Sequence, residues 1–113
     1  MTLKINVLGT DYTIVMDSEE KDMPENADGC CDHSIKEIRV VKMEPKDSNS
    51  LGDLSEYKKK VLRHEIIHAF LFESGLGCNY QHADQFGHDE TMVDWTAFQF
   101  PKLQKAFSEA GCL

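Results

Sequence analysis

Strand-like alternation over the first forty residues, one long helical segment in the middle and helical patterning after residue 89 predict an α+β domain. The expected architecture is a short, mostly antiparallel sheet packed on a central helix, with further helices C-terminal to it. At 113 residues the chain is long enough for one domain with its own core and too short for two, so residues 1–113 are read as a single unit.

Each element follows from its own pattern. Leu3, Ile5 and Val7, then Tyr12, Ile14 and Met16, recur at every second position across residues 3–7 and 11–16, with Gly9-Thr10 between them. This spacing predicts a hairpin or two short strands. Residues 17–27 are polar and include Pro24, which predicts a loop. A short strand is expected over 29–33 and a firmer one over 37–43, where Ile38, Val40 and Val41 supply the β-forming side chains. Residues 45–52 form a second polar connection.

Asp53-Leu54-Ser55-Glu56 has the form of a capping box, with Asp53 as N-cap and Glu56 reaching back. The helix beyond it carries Leu54, Tyr57, Val61, His64 and His68 at three- and four-residue steps. Leu62, Ile66, Ile67, Phe70 and Leu71 widen its apolar surface nearly all the way round, which predicts a buried, central helix. Gly75 is placed to end it. Residues 77–89 read as a polar loop. A second helix is expected from near Asp89, with Met92, Val93, Trp95, Ala97 and Phe98 facing inward. Pro101 is expected to break it, leaving a last short helix over 103–110.

Composition narrows the function. A formal net charge of −8 argues against a nucleic-acid partner, because phosphate binding calls for a concentrated basic face. Lys58-Lys59-Lys60 is the one basic cluster, and a solvated helix turn accounts for it. The N-terminus alternates like a strand and has no signal-peptide apolar run, and no segment reaches the ~18 apolar residues of a membrane span. A cytoplasmic protein without a membrane partner is expected. Cys30, Cys31, Cys78 and Cys112 contain no C-x-x-C pair and are read as free, half-buried thiols. A second metal site at Cys30, Cys31 and His33 is disfavoured, since adjacent cysteines converge poorly on one ion.

The chemistry is concentrated in His64-Glu65-Ile66-Ile67-His68. On a helix, residues four apart share a face, so both imidazoles can close on one ion while Glu65, one step round, addresses a water beside it. The chain's own His and Glu content gives about two chances in a hundred of an accidental match, so context must decide. The context is favourable, because the motif lies on the predicted core helix. A catalytic zinc usually takes a third protein ligand. The metzincin extension is excluded, since Leu71 and Ser74 stand where its Gly and His would be. Glu90 is the best candidate, with Asp94 four residues on and able to reach a ligand imidazole from behind.

His64-Glu65-x-x-His68 followed by Glu90-x-x-x-Asp94 resembles the gluzincins, the thermolysin-type metallopeptidases. Within them it resembles the minimal zincin-like proteins common in bacteriophages and prophages, related in plan to ImmA/IrrE-type peptidases. The similarity runs from about Leu62 to Ala110 and includes Glu73-Ser74-Gly75-Leu76 and Val93-Asp94-Trp95. The resemblance implies that His64, His68 and Glu90 bind Zn2+, that Glu65 is the general base and that Asp94 supports the imidazole of His64. It also implies an oxyanion-stabilising Tyr or His, for which Tyr80, His82 and His88 are candidates. A rival assignment is a SprT-like metallopeptidase. His82-Ala83-Asp84-Gln85-Phe86 is similar to the HGxxF segment of that family, and His82 would then be the third ligand. Ala83 replaces its Gly, and Glu90 and Asp94 are left without a role.

The expected function is hydrolysis of peptide bonds in a protein or peptide substrate by a metal-activated water, with Ile67, Phe70 and Trp95 as an apolar wall. The competing class is a non-catalytic zinc-binding regulatory module of phage origin. An intact Glu65 speaks against that class.

Overall fold

In the computed structural model the described residues are 2–45, 52–75 and 89–109. Strands β1 (Thr2–Val7) and β2 (Thr10–Ser18) form the expected hairpin, antiparallel and in register from Thr2↔Val15 to Val7↔Thr10. Its turn falls on Leu8-Gly9, one residue earlier than expected. Both turn residues have positive φ, 51° and 94°, as the tight turns that match strand twist require. The side chain of Asn6 closes the turn by accepting the Gly9 N–H at 3.0 Å. β2 runs past the expected end at residue 16, through a bulge at Asp17, whose φ is 58°.

The polar stretch after it is a loop containing one 3₁₀ turn, Glu20–Asp22. Strands β3 (Gly29–Asp32) and β4 (Glu37–Val41) pair antiparallel, and β4 lies parallel to β2. The sheet order is β1-β2-β4-β3, so β3 is an edge. Two of its three pairings are antiparallel, in keeping with the expected mostly antiparallel sheet of an α+β domain.

Helix α1 (Ser55–Glu73) packs on one face of this sheet. Val7, Tyr12, Ile14, Ile38 and Ala69 form the core, with Ile5, Met16, Cys31, Leu62 and Ile66 packed against it. These are the inward positions of the alternating strands and one stripe of the helix, the two periodicities on which the sequence reading rests. The capping box does not form. Leu54 takes the N-cap position, Asp53 accepts the Ser55 N–H at 2.9 Å in a local turn, and Glu56 pairs with Lys59 instead of reaching back. The C-terminal end is as expected, with Gly75 at φ 86°.

Nor is α1 buried all round. The sheet covers one side and the second helix another, leaving Phe70 and Tyr57 on flanks that are 40% and 37% exposed. The lysine cluster is not simply solvated. Lys58 pairs with Asp17 of β2 at 2.8 Å, and Lys60 pairs with Asp94 of the second helix.

The far end of α1 is tied to the sheet through Glu73. Its carboxylate accepts from the hydroxyl of fully buried Tyr12 at 2.7 Å and from Lys36 Nζ at 2.9 Å. The Lys36 bond, followed by that from Tyr12, holds the Glu73 carboxyl down at about 2 from its ordinary 4.5. A depressed carboxylate contributes stability above its unfolded value and loses it as pH falls through the folded one. Glu73→Gln is therefore expected to flatten the decline in melting temperature between about pH 4.5 and 2. An acid limb identical to that of the unmodified chain would contradict this role.

Helix α2 (Glu90–Glu109) is one continuous element, and Pro101 does not break it. Proline lacks the N–H that would bond the carbonyl four residues earlier, which is that of Ala97. Arg63 of α1 makes good the loss by donating Nε–H to the Ala97 oxygen at 2.6 Å. Val93 and Ala97 are fully buried against α1, but Met92, Trp95 and Phe98 point outward, 42%, 56% and 62% exposed. The stripe facing α1 runs through Glu90, Val93, Asp94 and Ala97 at three- and four-residue steps, with Val93 and Ala97 buried and the two acids at its rim. The larger apolar residues fall on the neighbouring flank, against expectation. No helix among the described residues is long and apolar enough to cross a membrane.

Candidate metal centre

The facing sides of α1 and α2 bring His64, His68 and Glu90 together. One helical turn separates the two histidines, and their Nε2 atoms lie 3.1 Å apart with the rings edge to face. Glu90, in the first turn of α2, spans both. Its Oε2 is 3.2 Å from His64 Nε2 and its Oε1 is 3.1 Å from His68 Nε2. This group could hold a metal ion.

The spacing provides a test of fit. Two donors about 2.0–2.1 Å from one ion and 3.1 Å apart, as the two Nε2 atoms are, subtend about 100° at it, near the tetrahedral angle, and with one atom from each of the three residues the group stays within 4.8 Å. The imidazoles are largely enclosed, with side-chain exposures of 17% and 11%, whereas the Glu90 side chain is 69% exposed and reaches in from the rim.

Asp94 stands on the other side of the His64 ring from Glu90. Its Oδ1 is 3.4 Å from His64 Nδ1, so one ring nitrogen faces Glu90 and the other faces Asp94. The ammonium of Lys60 beside Asp94, with a smaller contribution from His64, holds this carboxyl below the usual range.

Glu65 is 8% exposed and has no hydrogen bond or ion pair among the described residues. Burial, with repulsion from Glu90 added, pushes its carboxyl up to about 7. Among the described residues no buried side-chain oxygen or nitrogen is fully sealed from solvent without a partner, so the Glu65 oxygens keep some exposure. A carboxylate with no partner among the described residues is costly in so enclosed a place.

Gly29 of β3 makes that enclosure possible. A Cβ there would stand 2.7 Å from Val61 Cγ1, 3.0 Å from Glu65 Cγ and 3.1 Å from Glu65 Oε2. The strand thus passes Glu65 at backbone distance. Gly29→Ala is expected to cost about 1–3 kcal/mol by overpacking against a stiff valine, and to displace Glu65. Thermal unfolding unchanged from that of the unmodified chain would contradict the close approach. Sequence reasoning missed Gly29; the available signal was an isolated glycine in a strand, which often marks a close backbone contact.

The Val41 N–H bonds to the Asp28 carbonyl at 2.9 Å, which sets the alternation of the β3–β4 ladder. Cys30 and Asp32 therefore turn their backbone groups toward β4, while those of Gly29 and Cys31 point out of the free edge. The Cys30 and Cys31 side chains alternate to opposite faces of β3 and cannot converge on a second ion. Both are free thiols, and burial, with Glu65 adding to it, pushes Cys31 up to about 12. The His33 ring is engaged elsewhere, stacked on Phe72 at 4.0 Å.

The expected apolar wall is not closed, because Phe70 and Trp95 are both exposed. Instead Trp95 and Phe98 line an open groove on the flank of α2 together with Glu90, Thr91 and Asp94. The oxyanion candidates Tyr80, His82 and His88 lie outside the described residues, as do Cys78 and Cys112.

Fold and site together define an α+β domain with a two-histidine, one-carboxylate group suited to a metal ion. No protein-family model, curated protein or solved structure matches the chain, so this class rests on the residues themselves.

Proposed function

We propose that the protein is a zinc-dependent metallopeptidase of the gluzincin type. The observation that carries this reading is the convergence of three donor atoms from two helices beside a buried carboxylate with no partner among the described residues. His64, His68 and Glu90 would hold the metal, and their mixed nitrogen and oxygen donors suit zinc. Bound there, zinc would lower the pKa of a water toward ~7 and polarise the scissile carbonyl.

Glu65 takes a proton from the water as its oxygen bonds to the carbonyl carbon. It then delivers that proton to the leaving nitrogen as the C–N bond breaks, giving a carboxylic acid and an amine, and the acid's proton passes to the amine to leave a carboxylate and an ammonium. Asp94 keeps His64 in the tautomer with Nδ1 protonated and Nε2 free to ligate. The outward backbone groups of Gly29 and Cys31 offer an extended peptide a strand to pair with, running directly beside Glu65. The net charge of −8 favours basic or neutral substrates over acidic ones.

Glu90 is preferred to His82 as third ligand because its two oxygens already face both imidazoles. A purely structural zinc module gains nothing from an enclosed, unpaired Glu65.

The test is cleavage of casein and of a peptide library by the chain stripped of metal and then reloaded. Turnover is expected only in the zinc-loaded form. Stoichiometric zinc without any cleavage would instead support a non-catalytic binding module.

A further inference from the structure

Lys60 stands one turn before His64 on α1, and its ammonium pairs with Oδ1 of Asp94. That same oxygen lies 3.4 Å from His64 Nδ1. On its other side the ammonium sits 5.9 Å from the centre of the Tyr57 ring, and the Tyr57 hydroxyl donates to Asp28 next to β3. A continuous chain of contacts therefore runs from the edge of the sheet through Tyr57, Lys60 and Asp94 to the imidazole.

Asp94 needs such an anchor. Its side chain is half exposed, whereas that of Lys60 is only 23% exposed. A carboxylate at a helix surface with one long bond to a histidine would otherwise exchange rotamers with solvent. An ion pair enclosed on two sides restricts it to one. α1 thus supplies both the ligand, His64, and the cation that aims the carboxylate at it.

We propose that Lys60 is a positioning residue of the metal centre, fixing Asp94 so that His64 presents Nε2 to the ion. The proposal rests on the metal-binding reading of His64, His68 and Glu90. It gives one member of the lysine cluster a role that its sequence context did not indicate.

The experiment measures zinc affinity of the full chain by competition with a chromophoric chelator. The variants are Lys60→Met, Lys60→Arg, Asp94→Asn and the double variant carrying Lys60→Met and Asp94→Asn. Ring ¹⁵N–¹H correlation spectra of the zinc-loaded proteins report the His64 tautomer. Lys60→Met and Asp94→Asn are each expected to weaken zinc by roughly tenfold or more, the range for groups that orient metal-ligating histidines. Lys60→Arg should stay within about threefold of the unmodified chain, because it keeps the cation. The double variant should bind no more weakly than Asp94→Asn alone, since both residues act through one contact.

The spectrum of Lys60→Met should lose the single Nδ1-protonated His64 signal of the unmodified chain. A purely structural role for Lys60 would leave that signal in place. The proposal is overturned if Lys60→Met binds zinc normally while Asp94→Asn does not, or if the two losses multiply in the double variant. Absence of zinc uptake by the unmodified chain would overturn the metal reading itself, and this role with it.

Discussion

Glu65→Gln is expected to keep stoichiometric zinc and to lose peptide hydrolysis by roughly 10²–10⁴-fold, the usual contribution of a positioned general base. Glutamine matches the shape of the carboxylate and preserves its packing against Gly29 and Val61, but it cannot accept a proton. Glu65 has no hydrogen bond or ion pair among the described residues, so the substitution breaks none there. Burying an amide is also less costly than burying an unpaired carboxylate, so the metal-free variant should melt no lower than the unmodified chain. The measurement pairs turnover on the best peptide substrate with metal content by elemental analysis. Undiminished turnover with zinc in place would remove Glu65 from the mechanism.

Truncating a ligand should act on the metal instead. Structural zinc sites with four ligands bind with about 10–16 kcal/mol, or very roughly 3 kcal/mol per ligand, which corresponds to a hundredfold or more in affinity. His68→Ala and Glu90→Ala are each expected to lose zinc to that extent. Neither change disturbs the core of Val7, Tyr12, Ile14, Ile38 and Ala69, so folding should survive. His82→Ala, at the position of the rival third ligand, should retain zinc. The reverse pattern, with loss in His82→Ala and retention in Glu90→Ala, would transfer the site to the other assignment.

Much of this was legible in the sequence wherever a periodicity had one reading. Leu3, Ile5 and Val7 against Tyr12, Ile14 and Met16 gave the hairpin, because inward positions of a strand recur every second residue. The His64/His68 spacing gave a shared helix face, and the Glu90/Asp94 spacing gave a second one, and these faces meet.

What failed depended on contacts between elements. Pro101 looked like a break because the sequence does not reveal that Arg63 would serve the carbonyl it orphans. Trp95 and Phe98 looked like core because they are large and apolar. Yet the interface with α1 is set by smaller Val93 and Ala97, which allow close approach alongside Glu90 and Asp94. Lys60 looked solvated because its partner is thirty-four residues away in the chain. The capping box failed because Asp53 closed a local turn with Ser55 before the helix began.

X-ray absorption at the zinc edge, combined with anomalous diffraction from the zinc-loaded chain, tests the metal assignment most directly. The expected result is one ion about 2.0–2.1 Å from Nε2 of His64, Nε2 of His68 and an oxygen of Glu90, with Glu65 uncoordinated beside it. An ion held without Glu90, or no ion at the two imidazoles under saturating zinc, would contradict it.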